Sequence, residues 1–142
     1  MSDDHTSQAW GIYGGVIKDL VKNEHIKRLA KEGVVLENAF VLNSICTPSR
    51  ATILTGQPSH RNGVFTLSEA LESDSMNIAK VLQNNGYETA IVGKWHLKSD
   101  PTGFDHWNVL PGQGDYYNPD FIEMGERSRR EGYVTNLITD YG

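Results

Sequence analysis

Chemistry in this chain concentrates in one run, Cys46-Thr47-Pro48-Ser49-Arg50-Ala51-Thr52-Ile53-Leu54-Thr55-Gly56. Cys46 is the single cysteine, so no disulfide forms within the chain and the residue either packs or works. Pro48 suits the first turn of a helix, where a missing N–H costs nothing, and Gly56 suits a left-handed exit. Ile53 and Leu54 between them supply a short apolar face. The spacing therefore puts Cys46 just before a helix amino terminus, where N–H groups and the helix dipole favour an anion. Arg50 in the first turn adds a bidentate fork for a tetrahedral oxyanion. Two other readings of Cys46 stand beside this one: a buried cysteine acting as a small hydrophobe, and a plain thiolate nucleophile activated by the helix terminus.

A second block, Gly86-Tyr87-Glu88-Thr89-Ala90-Ile91-Val92-Gly93-Lys94-Trp95-His96, alters that balance. Thr89 to Val92 reads as a buried strand. At its end Lys94 and His96, two apart, project to one side in extended geometry, while Trp95 points into the core. Together the two blocks closely resemble the signatures of the formylglycine-dependent sulfatases, C-x-P-S-R-x-x-x-L-T-G and G-Y-x-T-x-x-x-G-K-x-H, at every defining position and in the family's order.

The resemblance implies an α/β, alkaline-phosphatase-like sulfatase domain, a mostly parallel sheet with flanking helices. Residues 1–142 would be the N-terminal portion of that catalytic domain, truncated at both ends and catalytically incomplete alone. It implies that Cys46 is oxidised to formylglycine by a formylglycine-generating enzyme, with Pro48 and Arg50 part of the recognised motif. The hydrated aldehyde would attack sulfur, displace the alcohol, and then expel sulfate. Arg50 would steady the nucleophile, and Lys94 and His96 would bind diol and sulfate oxygens. The metal ligands carried over are Asp3, Asp4 and the modified Cys46, around a divalent cation, Ca2+ in first place and Mg2+ in second. Without the resemblance, Asp3-Asp4 would read as a solvated terminus.

The runs Asp3 to Ala9, Asn43 to Cys46, Leu110 to Pro119 and Glu131 to Thr135 are similar to N-acetylglucosamine-6-sulfatases, including mucin-desulfating bacterial ones. A sulfated sugar, 6-sulfated N-acetylglucosamine, is the substrate this implies. A phosphonate or phosphate ester hydrolase of the same superfamily and a non-enzymatic, incomplete module are the alternatives.

The elements that must position these residues follow from pattern. A helix is expected from Asn23 to Lys31, with Ile26, Leu29 and Ala30 inward and Gly33 as its stop. Val34 to Val41 alternates and reads as a strand delivering Cys46 to its helix. Gln57 to Gly63 reads as a loop carrying His60 and Arg61, and Ser75 to Asn85 as a helix with Ile78, Val81 and Leu82 on its apolar face. Gly103 to Phe121 reads as a long loop whose Asp105, His106 and Trp107 are candidate substrate contacts; polar groups interleaved with rings suit a sugar. Glu126 to Glu131 reads as a charged turn within a hairpin, and Val134 to Asp140 as a helix capped by Thr135.

Composition sets the remaining bounds. The chain has 142 residues, 38% of them hydrophobic, and a net charge of −5, which suits one soluble globular unit. Its acidic balance offers no basic stripe for nucleic acid. No apolar run approaches membrane-spanning length and no signal peptide is recognisable, so no membrane association is expected. The compartment is not legible; the resemblance implies periplasmic, secreted or lysosomal. Oligomeric state is likewise left open.

Overall fold

The computed structural model describes residues 1–142, which divide into two compact units, Met1–Phe40 and Val41–Gly142. In the first unit, single 3-10 turns at Ser7–Ala9 and Gly11–Tyr13 precede helix α1 (Glu24–Glu32). Asn23 stands at its N-cap, and at its end the Gly33 N–H returns to the Leu29 carbonyl. No residue of this unit is buried. Leu29, expected to face inward, is exposed.

The strand expected over residues 34–41 does not form, and Phe40 within it is 93% exposed. Alternation says which face a strand would bury; the strand itself exists only where a neighbour supplies N–H and C=O groups. No strand pairs with this segment.

The second unit holds helices α2 (Cys46–Thr55), α3 (Ser59–Asn62), α4 (Ile78–Asn84) and α5 (Val134–Tyr141). Its strands are β1 (Ala90–Lys94), β2 (His106–Leu110), β3 (Asp120–Glu123) and β4 (Glu126–Arg129). The fold class is α/β, as expected, but the sheet is mixed rather than mostly parallel. In the order β1-β2-β3-β4, only β1 and β2 run parallel; β2–β3 and β3–β4 are antiparallel. The register sets Ala90 beside His106 and Lys94 beside Leu110.

Strand β2 lies inside the segment expected to be a loop. Its last four residues are all buried, so it shows none of the alternation of a half-exposed strand. Asn108, 1% exposed, also breaks the apolar run that would have signalled burial.

Alternate residues of β2 feed the two faces of the sheet. Trp107 and Val109 join Ala51, Val64, Leu71, Trp95 and Leu97 in one cluster, with Leu54 of α2 packed against it. Leu110 joins Phe121 and Val134 in the other, with Leu137 and Ile138 of α5. Helix α5 lies so close that a Cβ on Gly93, whose φ is +104°, would stand 3.3 Å from Ile138 Cγ2. Only glycine adopts that backbone at low cost.

The remaining helices depart from expectation in detail. In α2 the buried face is Thr47, Pro48, Arg50 and Ala51, while Ile53 is exposed. Helix α4 starts at Ile78 rather than Ser75, because buried Asn77 caps it by accepting the Lys80 N–H. Its Ile78, Val81 and Leu82 are exposed and Ala79 is buried. His60 and Arg61 sit exposed on α3 rather than in a loop. Tyr133, not Thr135, occupies the N-cap of α5. Glu126–Arg129 is itself the second strand of the expected hairpin. No helix is long and apolar enough to cross a membrane.

Candidate active site at the amino end of α2

Helix α2 begins on Cys46 itself, one residue earlier than expected, after extended Ile45. No side chain caps it, so its positive amino end is not spent on an internal acceptor. Asn43 fixes the approach: its Oδ1 accepts the Ile45 N–H at 3.1 Å and its Nδ2 donates to the Phe65 carbonyl at 3.4 Å. Gly56 closes the helix in the left-handed region at φ 66°.

The carboxyl end of β1 meets this turn, at the end of a parallel pair where α/β sheets hold their sites. Lys94 Nζ lies 3.5 Å from Cys46 Sγ. Arg50, 8% exposed, donates from Nη1 to the Lys94 carbonyl. Thr47 donates from Oγ1 to the His96 carbonyl at 2.9 Å. Cys46, Arg50, Lys94 and His96 are thus joined at one junction of helix start and strand end. Trp95 between the last two is buried in the core, as alternation predicts, with its indole N–H on the Ser99 carbonyl at 2.6 Å.

Asp105, His106 and Trp107 stand at the other end of the parallel pair. His106 is beside Ala90 while Lys94 is beside Leu110, four residues or about 13 Å further along. Asp105 accepts the Thr89 N–H, the Thr89 hydroxyl and the Gln83 amide. Those bonds, the Thr89 N–H first and Gln83 next, hold its carboxyl below the usual carboxylate range. His106 approaches Glu123 at 3.7 Å. Trp107 is core. The expected loop keeps its polar-aromatic character at the Lys94 end as well. Residues 111–118 leave β2 beside Lys94 and carry Gln113, Asp115, and Tyr116 and Tyr117, each 69% exposed. Tyr117 is steadied by its ring contact with Tyr133 at 5.3 Å.

Asp3 and Asp4 belong to the first unit, and both are exposed. Adjacent carboxylates suit a hard divalent cation in kind. No group of three or more His, Cys, Asp or Glu side chains comes together to hold a metal ion. As a ligand set the chain offers a fitting pair rather than a full sphere.

The sequence profile of the Sulfatase family matches residues 1–141. The chain belongs to the sulfatase family. It is 47% identical to an N-acetylglucosamine-6-O-sulfatase of Bacteroides thetaiotaomicron, over 99% of this chain and 25% of that protein. It is 32% identical to human steryl-sulfatase, over 94% of this chain and 25% of that protein. A protein solved in complex with its substrate, D-glucosamine-2-N,6-O-disulfate, superposes with a TM-score of 0.93 at 46% identity, covering 99% of this chain and 28% of that one. The fold is therefore the N-terminal portion of a sulfatase, and the chain spans about a quarter of the length of these relatives.

The residue that motif reading missed is Thr47. It occupies the unconstrained second position of the first signature, and its only signal in the sequence is a hydroxyl on a helix face otherwise turned to the core.

Proposed function

We propose that this chain carries the nucleophile end of a sulfuric ester hydrolase acting on a sulfated sugar, 6-O-sulfated N-acetylglucosamine in particular. The observation that carries the reading is the 3.5 Å approach of Lys94 Nζ to Cys46 Sγ at the uncapped amino end of α2. A cation and a helix terminus there favour one kind of ligand, a compact anion.

Formylglycine made from Cys46 by a formylglycine-generating enzyme supplies an oxygen nucleophile at that position. Lys94 holds the sulfate against the helix terminus and offsets charge as the S–O bond breaks. Arg50 spends one N–H on the Lys94 carbonyl, so its fixed positive charge stays at the helix start and anchors the strand that carries Lys94. His96, two residues beyond the end of β1, donates to a sulfate oxygen in this reading. Asp3 and Asp4 would offer carboxylates to a divalent cation, Ca2+ before Mg2+. Tyr116 and Tyr117, on the loop leaving β2 beside Lys94, offer rings for a pyranose face.

The 6-sulfate assignment draws on the relative named as an N-acetylglucosamine-6-O-sulfatase and on the structure solved with a glucosamine disulfate. The test is release of inorganic anion from N-acetylglucosamine 6-sulfate and from its 6-phosphate by protein whose Cys46 has been converted and whose sulfatase chain is complete. Sulfate release, with little phosphate release, is expected. Phosphate release alone would replace the reading by phosphoester hydrolysis, and release from neither by converted protein would refute it.

A further inference from the structure

Beyond β1 the backbone takes two left-handed steps, at His96 (φ 56°) and Lys98 (φ 59°), on either side of fully buried Leu97. A residue with a side chain pays for such a conformation, so the surroundings must hold it there. Trp95 is fixed by its core packing and its bond to Ser99, and the Leu97 carbonyl accepts the Leu71 N–H at 3.1 Å. The His96 peptide is engaged from across the chain by Thr47. That side chain is 0% exposed, and its hydroxyl donates to the His96 carbonyl over a separation of 49 residues. Arg50, three residues along the same helix, donates to the Lys94 carbonyl. The first turn of α2 thus reaches the carbonyls of Lys94 and His96, on either side of Trp95.

We infer that Thr47 is a positioning residue: its hydroxyl holds the His96 peptide left-handed and so sets where the imidazole stands relative to Cys46 and Lys94. The relevance to turnover rests on the hydrolase reading above; the geometric claim does not. A threonine at this position does what neither alanine nor valine can, because its side chain is shut off from solvent and the carbonyl needs a donor there.

The test uses Thr47→Val, which keeps the shape and loses the hydroxyl, Thr47→Ser, which keeps the hydroxyl, and Val64→Ala, which weakens the core cluster that holds Trp95 and Leu97 and leaves the Thr47 hydroxyl intact. Carbon-13 shifts and the amide–α-proton coupling of His96 report its φ, and a titration with inorganic sulfate reports the anion site. Thr47→Val is expected to move His96 toward extended values and to weaken sulfate binding about tenfold, the loss of one neutral hydrogen bond. Thr47→Ser should restore both readings, and Val64→Ala should lower stability while leaving His96 in place. An unmoved His96 in Thr47→Val, an equal movement in Val64→Ala, or a moved His96 with unchanged sulfate affinity would each overturn the inference. Should Thr47→Val fail to fold, the unmutated chain still decides: replacing the hydroxyl proton by deuterium should shift the His96 carbonyl resonance, and no shift overturns it. Sugar sulfate turnover enters none of these readings, so failure of the hydrolase assignment would be seen separately.

Discussion

Gly93 is the residue at which the fold and the second signature meet, and Gly93→Ala is the perturbation that tests both. Its φ of +104° is a region that side-chain-bearing residues rarely adopt, and a new Cβ would lie 3.3 Å from Ile138 Cγ2 and 3.4 Å from Cδ1. The backbone term costs about 1–3 kcal/mol. The contact adds roughly 1 kcal/mol, because Ile138 must give by a few tenths of an ångström against the Leu110–Phe121–Val134 cluster. The sum, about 2–4 kcal/mol, corresponds to a loss of roughly 10 °C in Tm for a chain of this size. Urea denaturation with a shared slope measures it. Repeating the substitution in an Ile138→Ala background separates the terms: the steric part should vanish and the backbone part remain, giving a coupling of roughly 1 kcal/mol. A Gly93→Ala cost within about 0.5 kcal/mol, the range of an ordinary surface change, would refute the claim that α5 and the left-handed backbone together demand glycine before Lys94.

Three further outcomes are expected. Trp107→Ala should cost about 3–5 kcal/mol in denaturation, as for a large core aromatic, while Trp107→Phe costs less and leaves the affinity for N-acetylglucosamine 6-sulfate unchanged; a selective loss of sugar affinity in Trp107→Phe would return this residue to the substrate site. Because its hydrogen bonds hold the Asp105 carboxyl below the usual range in the folded chain, its stabilising contribution is full above the unfolded value of about 3.9 and disappears as pH falls through the lower folded value. Asp105→Asn should therefore be less stable than the parent near neutrality and converge with it in acid; parallel profiles would contradict this. Lys94→Met should weaken inorganic sulfate binding at least tenfold, on the order of one charge-assisted hydrogen bond, as read by calorimetry; an unchanged affinity would remove Lys94 from the anion site.

The two signatures were legible because their punctuation is local. Pro48 and Gly56 bracket α2, and Thr89 to Val92 sits within or beside β1, so Cys46 and Lys94 could be set at a helix start and a strand end before any contact was known. What pairs with what was not local. Nothing in Val34 to Val41 says that no strand lies alongside it, and nothing in His106 to Leu110 announces a strand covered on both faces. The loop reading of that strand left open at which end of the sheet Asp105, His106 and Trp107 stand, because the parallel register with β1 is not written in the local sequence. Apolar faces were misjudged for a related reason. Leu29, Ile53, Ile78, Val81 and Leu82 have helical spacing, yet spacing identifies a face fit to be covered and not the residues that cover it. Thr47 escaped notice because its partner is a backbone carbonyl, which every residue has and no motif records.

The central claim is that the amino end of α2, with Lys94 against Cys46, is a sulfatase nucleophile site. The mass of the peptide carrying Cys46, after expression with a formylglycine-generating enzyme and beside a sulfatase that matures in the same host, tests it most directly. The account predicts a mass in which the thiol has become an aldehyde. An intact thiol alongside a converted control would contradict it.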